Sequence, residues 1–297
     1  RKGWRRVRPV LTGVLDVRSR MLVGWDVRAT KCADGVLAGL LRAMEQFGAP
    51  SHIIQDNGSA YDAALGSPRG TPGQRRLFED DRCGGLAREL GITLHPTTPY
   101  QPWAKMIESI WRRMRDMLDR WCASYWGGAP ADRPHDADRW TRERIDRLPT
   151  VDELSELIRQ GVAEHHDTEQ SGDGTFGLPP RLVMAQFRGT VRQVDPAALR
   201  LVCTRLIGPV LVRRDGVRHR HIIYRSADDL TLRLQGKRVW LRLDPLMADR
   251  VTLCREDGTP LGIAEAYTLR GVTREEVSAA AAEQARARRA IREYAPA

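Results

Sequence analysis

Three carboxylates in this 297-residue chain stand where metal-dependent chemistry could use them. Asp16 ends the apolar run VRPVLTGVLD, Asp56 follows SHIIQ and precedes Asn57 and Gly58, and Glu108 lies in QPWAKMIESIWRRMRD. A divalent ion such as Mg²⁺ takes oxygen ligands, commonly one or two carboxylates together with substrate phosphate. A carboxylate fixed at the end of a strand, as Asp56 would be, suits that task, although Asp-Asn-Gly is also a common turn sequence. On a helix, Lys105, Glu108, Arg112, Arg115 and Asp119 share one face. One carboxylate among cations suits a phosphodiester, because the cations hold phosphate while the glutamate holds metal. The same residues also describe an ordinary solvated face with a Glu108–Arg112 ion pair.

Positioning these groups requires a rigid frame, and the flanking sequence supplies one. Residues 7–15 and 21–28 are apolar and β-branched around the polar DVRSR, the pattern of a hairpin or a turn between antiparallel strands. ADGVLAGLLRAMEQFG carries Val36, Leu37, Leu40, Leu41, Met44 and Phe47 at helical spacing, with Gly48 closing the helix. SHIIQ reads as a short buried strand, LFEDDRCGGLARELG as helical in its second half, and ITLHPTTP as a strand running into a turn. The spacing predicts a helix over 103–122, with Ile107, Ile110, Met114, Leu118 and Trp121 along its apolar stripe. TVDELSELIRQGVAEHH opens with Thr150 as N-cap and Glu153 completing a capping box. This order indicates an α/β domain with a mixed sheet.

From about Val191 the periodicity changes to two. LVCTRLIGPVLV, HRHIIYRS, LTLRLQGKRVWLRLD and RVTLCREDGTPLGIAEA read as short strands separated by turns, the pattern of a small β-barrel. The Ala-rich end, with Arg286, Arg288, Arg289 and Arg292, reads as a helix that either binds DNA or a partner or is simply solvated.

A formal charge of +10 favours a polyanionic partner. Apolar runs are too short to span a bilayer, which leaves nucleic acid ahead of a membrane surface. Cys32, Cys83, Cys122, Cys203 and Cys254 are widely spaced without a CxxC pair, and read as reduced thiols of a cytosolic protein. His165–His166 and His219/His221 lack partners at zinc spacing and read as surface or DNA-proximal histidines. The EDD cluster at 79–81 reads as a solvated loop or helix start, and GSPRGTPGQRR (66–76) as a mobile basic loop. Trp103, Trp111, Trp121 and Trp126 read as core, with base stacking the alternative at Trp103.

In their order, LDVRSRMLVGW, GAPSHIIQDNGSAY and YQPWAKMIESIWRRMRD resemble the three core blocks of DDE transposases and retroviral-type integrases. HHDTEQSGDGTFGLPPRLVMAQF (165–187) resembles the segment that ends the integrase core. RHRHIIYRSADDLTLRLQGKRVWLRLDPLMADRVTLCREDGTPLGIAEA resembles the small barrel that follows the core in phage Mu-type transposases. The resemblance implies a ribonuclease-H-like mixed sheet with flanking helices over 1–188, an all-β DNA-binding barrel over 189–267 and a basic C-terminal helix over 268–297.

It also implies a chemistry. Two Mg²⁺ or Mn²⁺ ions would be held by Asp, Asp and Glu, with Asp56 matching the second Asp and Glu108 the Glu. Lys105, Arg112 and Arg115 would contact DNA phosphates, and Asn57 would shape the Asp56 turn. The activity would be cleavage of transposon ends and transfer of their 3′-hydroxyls to target DNA, by a homo-multimer on double-stranded DNA. The setting would be the cytoplasm, nucleoid-associated, with the protein encoded by a bacterium or phage. Whether an ATPase partner selects the target is left open. In this family the first Asp precedes the DxxSR element to which Asp16 belongs. Asp16 is therefore expected to be a turn residue bonded to Ser19 or a backbone N–H, with the ligand role as its alternative. The first ligand would then lie before Arg1, and residues 1–297 alone would be inactive in joining. Two rivals fit the same residues: a non-catalytic DNA-binding or assembly module, and a nuclease of the same fold that cleaves without joining.

Overall fold

The computed structural model describes residues 7–55, 59–65, 86–96, 102–117, 135–136, 139, 142–143, 145–171, 174–219, 222–247 and 249–267. The chain divides into two compact units. The first runs to Ile207 and takes in Leu241–Ala248, and the second holds Gly208–Trp240 and the chain from Asp249.

The first unit opens with the expected hairpin. Strands β1 (Val10–Leu15) and β2 (Leu22–Arg28) pair antiparallel from Val10↔Arg28 to Leu15↔Leu22, with a register shift between Val14 and Leu15. Successive side chains of a strand point to opposite faces. Leu11, Leu15, Trp25 and Val27 pack with Leu22, Ile110, Met114, Ile158 and Val162, whereas Val14 packs with Leu37, Leu40 and Leu41 of helix α1 (Ala33–Phe47). The hairpin is thus covered on both faces. A Cβ at Gly24 would lie 2.0 Å from the Gly39 carbonyl oxygen, so strand and helix backbones are nearly in contact there. Each fully buried leucine of α1 contributes about 2 kcal/mol of hydrophobic stabilisation.

After Gly48, at φ 78°, comes β3 (His52–Gln55), then α2 (Ser59–Leu65), α3 (Leu86–Glu89) and β4 (Thr93–Pro96). Strand β4 runs parallel to β3 in the register His52↔Thr93 to Gln55↔Pro96. Both senses of pairing expected of a mixed sheet are present, but among the described residues they form two separate two-stranded pieces. Helix α4 (Pro102–Met117) follows, then α5 (Val151–Asp167), α6 (Pro180–Ala185) and α7 (Pro196–Cys203). The capping box of α5 is present in full: Glu153 N–H donates to Thr150 Oγ1 at 3.1 Å, and Thr150 N–H to the Glu153 carboxylate at 2.7 Å.

Helix α7 corrects the reading of LVCTRLIGPVLV as one strand. Asp195 accepts from Ala198 N–H at 2.9 Å and Pro196 occupies the first turn, so the residues up to Cys203 are helical and bury Leu199 and Cys203. Only from Arg205 does the chain extend, as β5 (Arg205–Leu211).

A six-stranded sheet is formed by β5, β6 (Val217–His219), β7 (Ile222–Arg225), β8 (Arg238–Leu243), β9 (Arg250–Cys254) and β10 (Pro260–Ala266). LTLRLQGKRVWLRLD is likewise not one strand. Its first part is a short helix, α8 (Leu230–Arg233), held by a bond from Thr231 N–H to Ser226 Oγ at 2.8 Å, and β8 comes after it. The strand order is β5-β8-β9-β10-β7-β6. The outermost strands, β5 and β6, are the two arms of one tight turn, with Arg213 and Gly216 exchanging backbone bonds at 2.9 and 3.1 Å. The sheet is therefore nearly closed on itself, which is how the expected barrel appears. The C-terminal helix expected over 268–297, the loop at 66–76 and the acidic cluster at 79–81 lie outside the described residues.

Candidate functional site

Asp16 sits at the turn between β1 and β2, and its carboxylate is engaged locally. Oδ1 accepts from Ser19 N–H at 2.7 Å and from the Ser19 hydroxyl at 2.6 Å. The backbone closes around it, with Asp16 N–H donating to Met21 O at 2.9 Å and Arg20 N–H to Asp16 O at 3.0 Å. This is a side chain standing in for a backbone turn. Of the two readings of Asp16, the turn is the one present. Arg20 takes the left-handed backbone conformation, at φ 63°, that this turn requires.

Helix α4 is fixed by its apolar side. Ile110 and Met114 are buried with Leu22, Ile158 and Val162, and the Trp111 ring occupies the space where a Cβ on Gly13 would stand at 2.5 Å. The far side presents Glu108 and Arg112 to solvent, while Arg115 is half-buried and pairs with Asp116 at 3.5 Å. The exposure of Glu108 follows from the spacing: it lies two and six residues from the buried Ile110 and Met114. Strand β3 ends on Gln55, only 3% exposed, one residue before Asp56. Asp56, Asn57, Asp119 and the side chain of Lys105 lie outside the described residues.

Among the described residues no group of three or more His, Cys, Asp or Glu side chains could hold a metal ion. Asp16 is committed to Ser19, and Glu108 alone gives one ligand where a divalent ion takes several. These residues by themselves do not make a two-ion site.

The adjacent histidines of α5 are not on the surface, which corrects the sequence reading. His165 is 1% and His166 9% exposed. His165 Nε2 bonds to Arg20 O at 2.9 Å, and Leu22 N–H donates to His166 Nε2 at 3.1 Å. Both rings tie α5 to the hairpin. Burial holds both below the usual histidine range, His166 at about 4, with His165 and then Arg181 adding to the effect at His166. Burial likewise pushes the Cys203 thiol up to about 12, as fits an inert core cysteine.

Solved integrase structures are similar to this chain. The integrase catalytic core domain of HTLV-2, in complex with magnesium, shares 12% identity over 61% of this chain and 87% of that one, at a TM-score of 0.35. The simian T-cell lymphotropic virus intasome, in complex with PP2A regulatory subunit B56 gamma, shares 14% identity over 88% and 73%, at 0.36. The catalytic core domain of BIV integrase shares 16% over 60% and 86%, at 0.33. No family model and no curated protein matches the chain.

Beside α4 lies a feature the sequence reading missed. A cleft of about 330 Å³ is lined by Arg20 of the turn, Ser109 and Arg113 of α4, and Gln170 and Ser171 just after α5, with Met106 and Ile110 as its apolar part. Arg113 donates to Gln170 Oε1, so the two sides of the cleft are bonded together. A second omission is Asp26 on β2, a buried carboxylate gripped by Arg28 and, at 2.7 Å, by Arg42. Its double pairing makes it a structural group tying β2 to α1.

Proposed function

We propose that this chain is the core of a DDE-type DNA transposase, cutting transposon ends and joining their 3′-hydroxyls to target DNA. The observation that carries the reading is Glu108 exposed with Arg112 on one side of α4, while Ile110 and Met114 anchor the other. It stands within a block order that resembles the family, and the Asp16–Ser19 turn belongs to the same pattern. Asp56 and Glu108 are assigned as catalytic ligands for Mg²⁺ or Mn²⁺, which in such enzymes serves as Lewis acid at the reacting phosphorus. Arg112, Arg115 and Lys105 are assigned to hold the phosphate backbone on either side of that point. Residues 1–188 are assigned to the catalytic core, 189–267 to a DNA-binding barrel, and 268–297 to a basic helix. A homo-multimer on paired DNA ends is the expected working form, and a net charge of +10 supports a nucleic-acid partner.

A second reading is a non-catalytic DNA-binding module, which draws on the net charge of +10 and needs no metal ligands. One experiment separates them. In the full-length protein with Mn²⁺, Asp56→Asn and Glu108→Gln abolish strand transfer while leaving DNA binding intact, and Asp16→Asn retains joining. Cleavage without joined products would indicate a nuclease. DNA binding with neither product would indicate the non-catalytic module.

A further inference from the structure

In the second unit, cations from two separate places in the chain meet at one corner of the sheet. Arg213 and Arg214 stand in the tight turn that follows β5, and Lys237 and Arg238 lead into β8. Two backbone bonds hold these places side by side: Val212 N–H donates to Lys237 O at 3.0 Å, and Gly236 N–H to Val212 O at 2.9 Å. Gly236 and Lys237 thus oppose the single residue Val212, with Gly236 at φ 82°, the arrangement of a glycine bulge. Val212 and Val239 are buried beneath, while the side chains of Arg213, Arg214, Lys237 and Arg238 are all exposed. The backbone is therefore anchored where the charges are presented. A Cβ on Gly236 would meet nothing within 4 Å, so the bulge faces open space.

Neighbouring cations are already engaged. The carboxylate of the turn itself, Asp215, pairs with Arg218 at 3.0 Å, and the Asp215 carbonyl accepts from Arg225 Nε at 2.7 Å. Arg225 also lies over the Tyr267 ring, 4.1 Å from its centre. On the strands, Glu265 is in register with Arg225 on one side and with Arg250 on the other. Among the described residues, by contrast, Arg213, Arg214, Lys237 and Arg238 make no ion pair and no side-chain hydrogen bond. Like charges gathered on one corner repel one another, and a polyanion relieves that repulsion while releasing its own condensed counterions. The forked guanidinium takes two phosphate oxygens at once, and the lysine ammonium adds a point charge.

We infer that this corner, rather than a face of the sheet, is where the second unit docks on the phosphate backbone of double-stranded DNA. The inference rests on the reading of 189–267 as a DNA-binding barrel and names its contact surface. Contacts of this kind position the protein on the duplex and carry no base-sequence information.

The test uses the whole protein in chelator, so that no metal contributes, with a short duplex titrated over a range of salt concentrations. One double variant carries Arg213→Gln and Arg214→Gln, the other Lys237→Gln and Arg238→Gln. All four positions are exposed, and either double variant decides the matter if the other folds poorly. Arg250→Gln, beside Glu265 on the sheet, controls for loss of a cation elsewhere in the same unit. Each double variant should bind duplex several-fold more weakly, and the slope of log K against log salt should become shallower by about 2. The loss should be the same for duplexes of unrelated sequence, and Arg250→Gln should match wild type. Double variants that match a wild type able to bind duplex overturn the corner and leave the DNA-binding barrel standing. Weakening by Arg250→Gln alone moves the contact to the sheet face and also overturns the corner. A wild type that does not bind duplex at all overturns the corner and the barrel reading together.

Discussion

His165 and His166 are held neutral inside the first unit, and this has a consequence for stability against pH. In the unfolded chain a histidine titrates near pH 6.5, whereas burial lowers the folded value of His166 to about 4. Between those values the unfolded state binds the extra proton, so stability rises with pH across the window and is complete above about 6.5. As pH falls toward 4 that contribution is lost, on the order of 1–2 kcal/mol once partial solvent screening is allowed for. A melting series from pH 7 to 4.5 should therefore decline more steeply for wild type than for His166→Gln, whose amide oxygen can still accept from Leu22 N–H. Equal slopes would show that His166 carries no such linkage. The signal for this burial was present in the sequence: Ile158, Val162 and His165 continue one stripe at helical spacing. Histidine's polarity masked it. Asp16, by contrast, was legible because its partner Ser19 is three residues away.

At the scale of elements, the hairpin is the frame, and two glycines on opposite sides of the β2–α1 contact should respond in opposite directions. Gly24→Ala drives a Cβ into the Gly39 carbonyl and the Ala43 backbone, so it should cost about 1–3 kcal/mol or more in urea unfolding. Gly39→Ala meets its nearest atoms only at 3.6–3.7 Å, ordinary contact, in a helix interior. It should be neutral or raise stability by about 0.5–1 kcal/mol. Destabilisation by both would mean that the helix sits closer to the strand than described. Elements coded by local signals were legible: the hairpin, α1 with its closing glycine, and α5 with its capping box. Helix α7 was not, because Leu201, Val202 and Cys203 look like a strand when read alone, and the decisive signal was Asp195-Pro196 just upstream. Period and cap disagreed there, and the cap prevailed.

At the scale of the whole chain, the alternating periodicity read from Val191 begins in the structure only at Arg205, after the helix Pro196–Cys203. The exposed Glu108 could be counted off one helix, but the cleft could not. It joins Arg20 with Ser109 and Arg113 of α4 and with Gln170, three places far apart in sequence whose meeting depends on how α4 and α5 pack on the hairpin. The second unit has a vulnerable point of its own in Gly216, which holds the β5–β6 turn. Gly216 lies at φ 114°, and a Cβ there would stand 2.3 Å from the Tyr224 carbonyl oxygen. Any side chain at this position should pull the two outer strands apart and leave their N–H and C=O groups as templates for other chains. Gly216→Ala is therefore expected to aggregate on mild warming, well below the wild-type melting temperature, as seen by light scattering. A variant that stays monodisperse up to that temperature would show that closure does not depend on this turn. One missing side chain would then be what separates a self-contained sheet from a polymerising one.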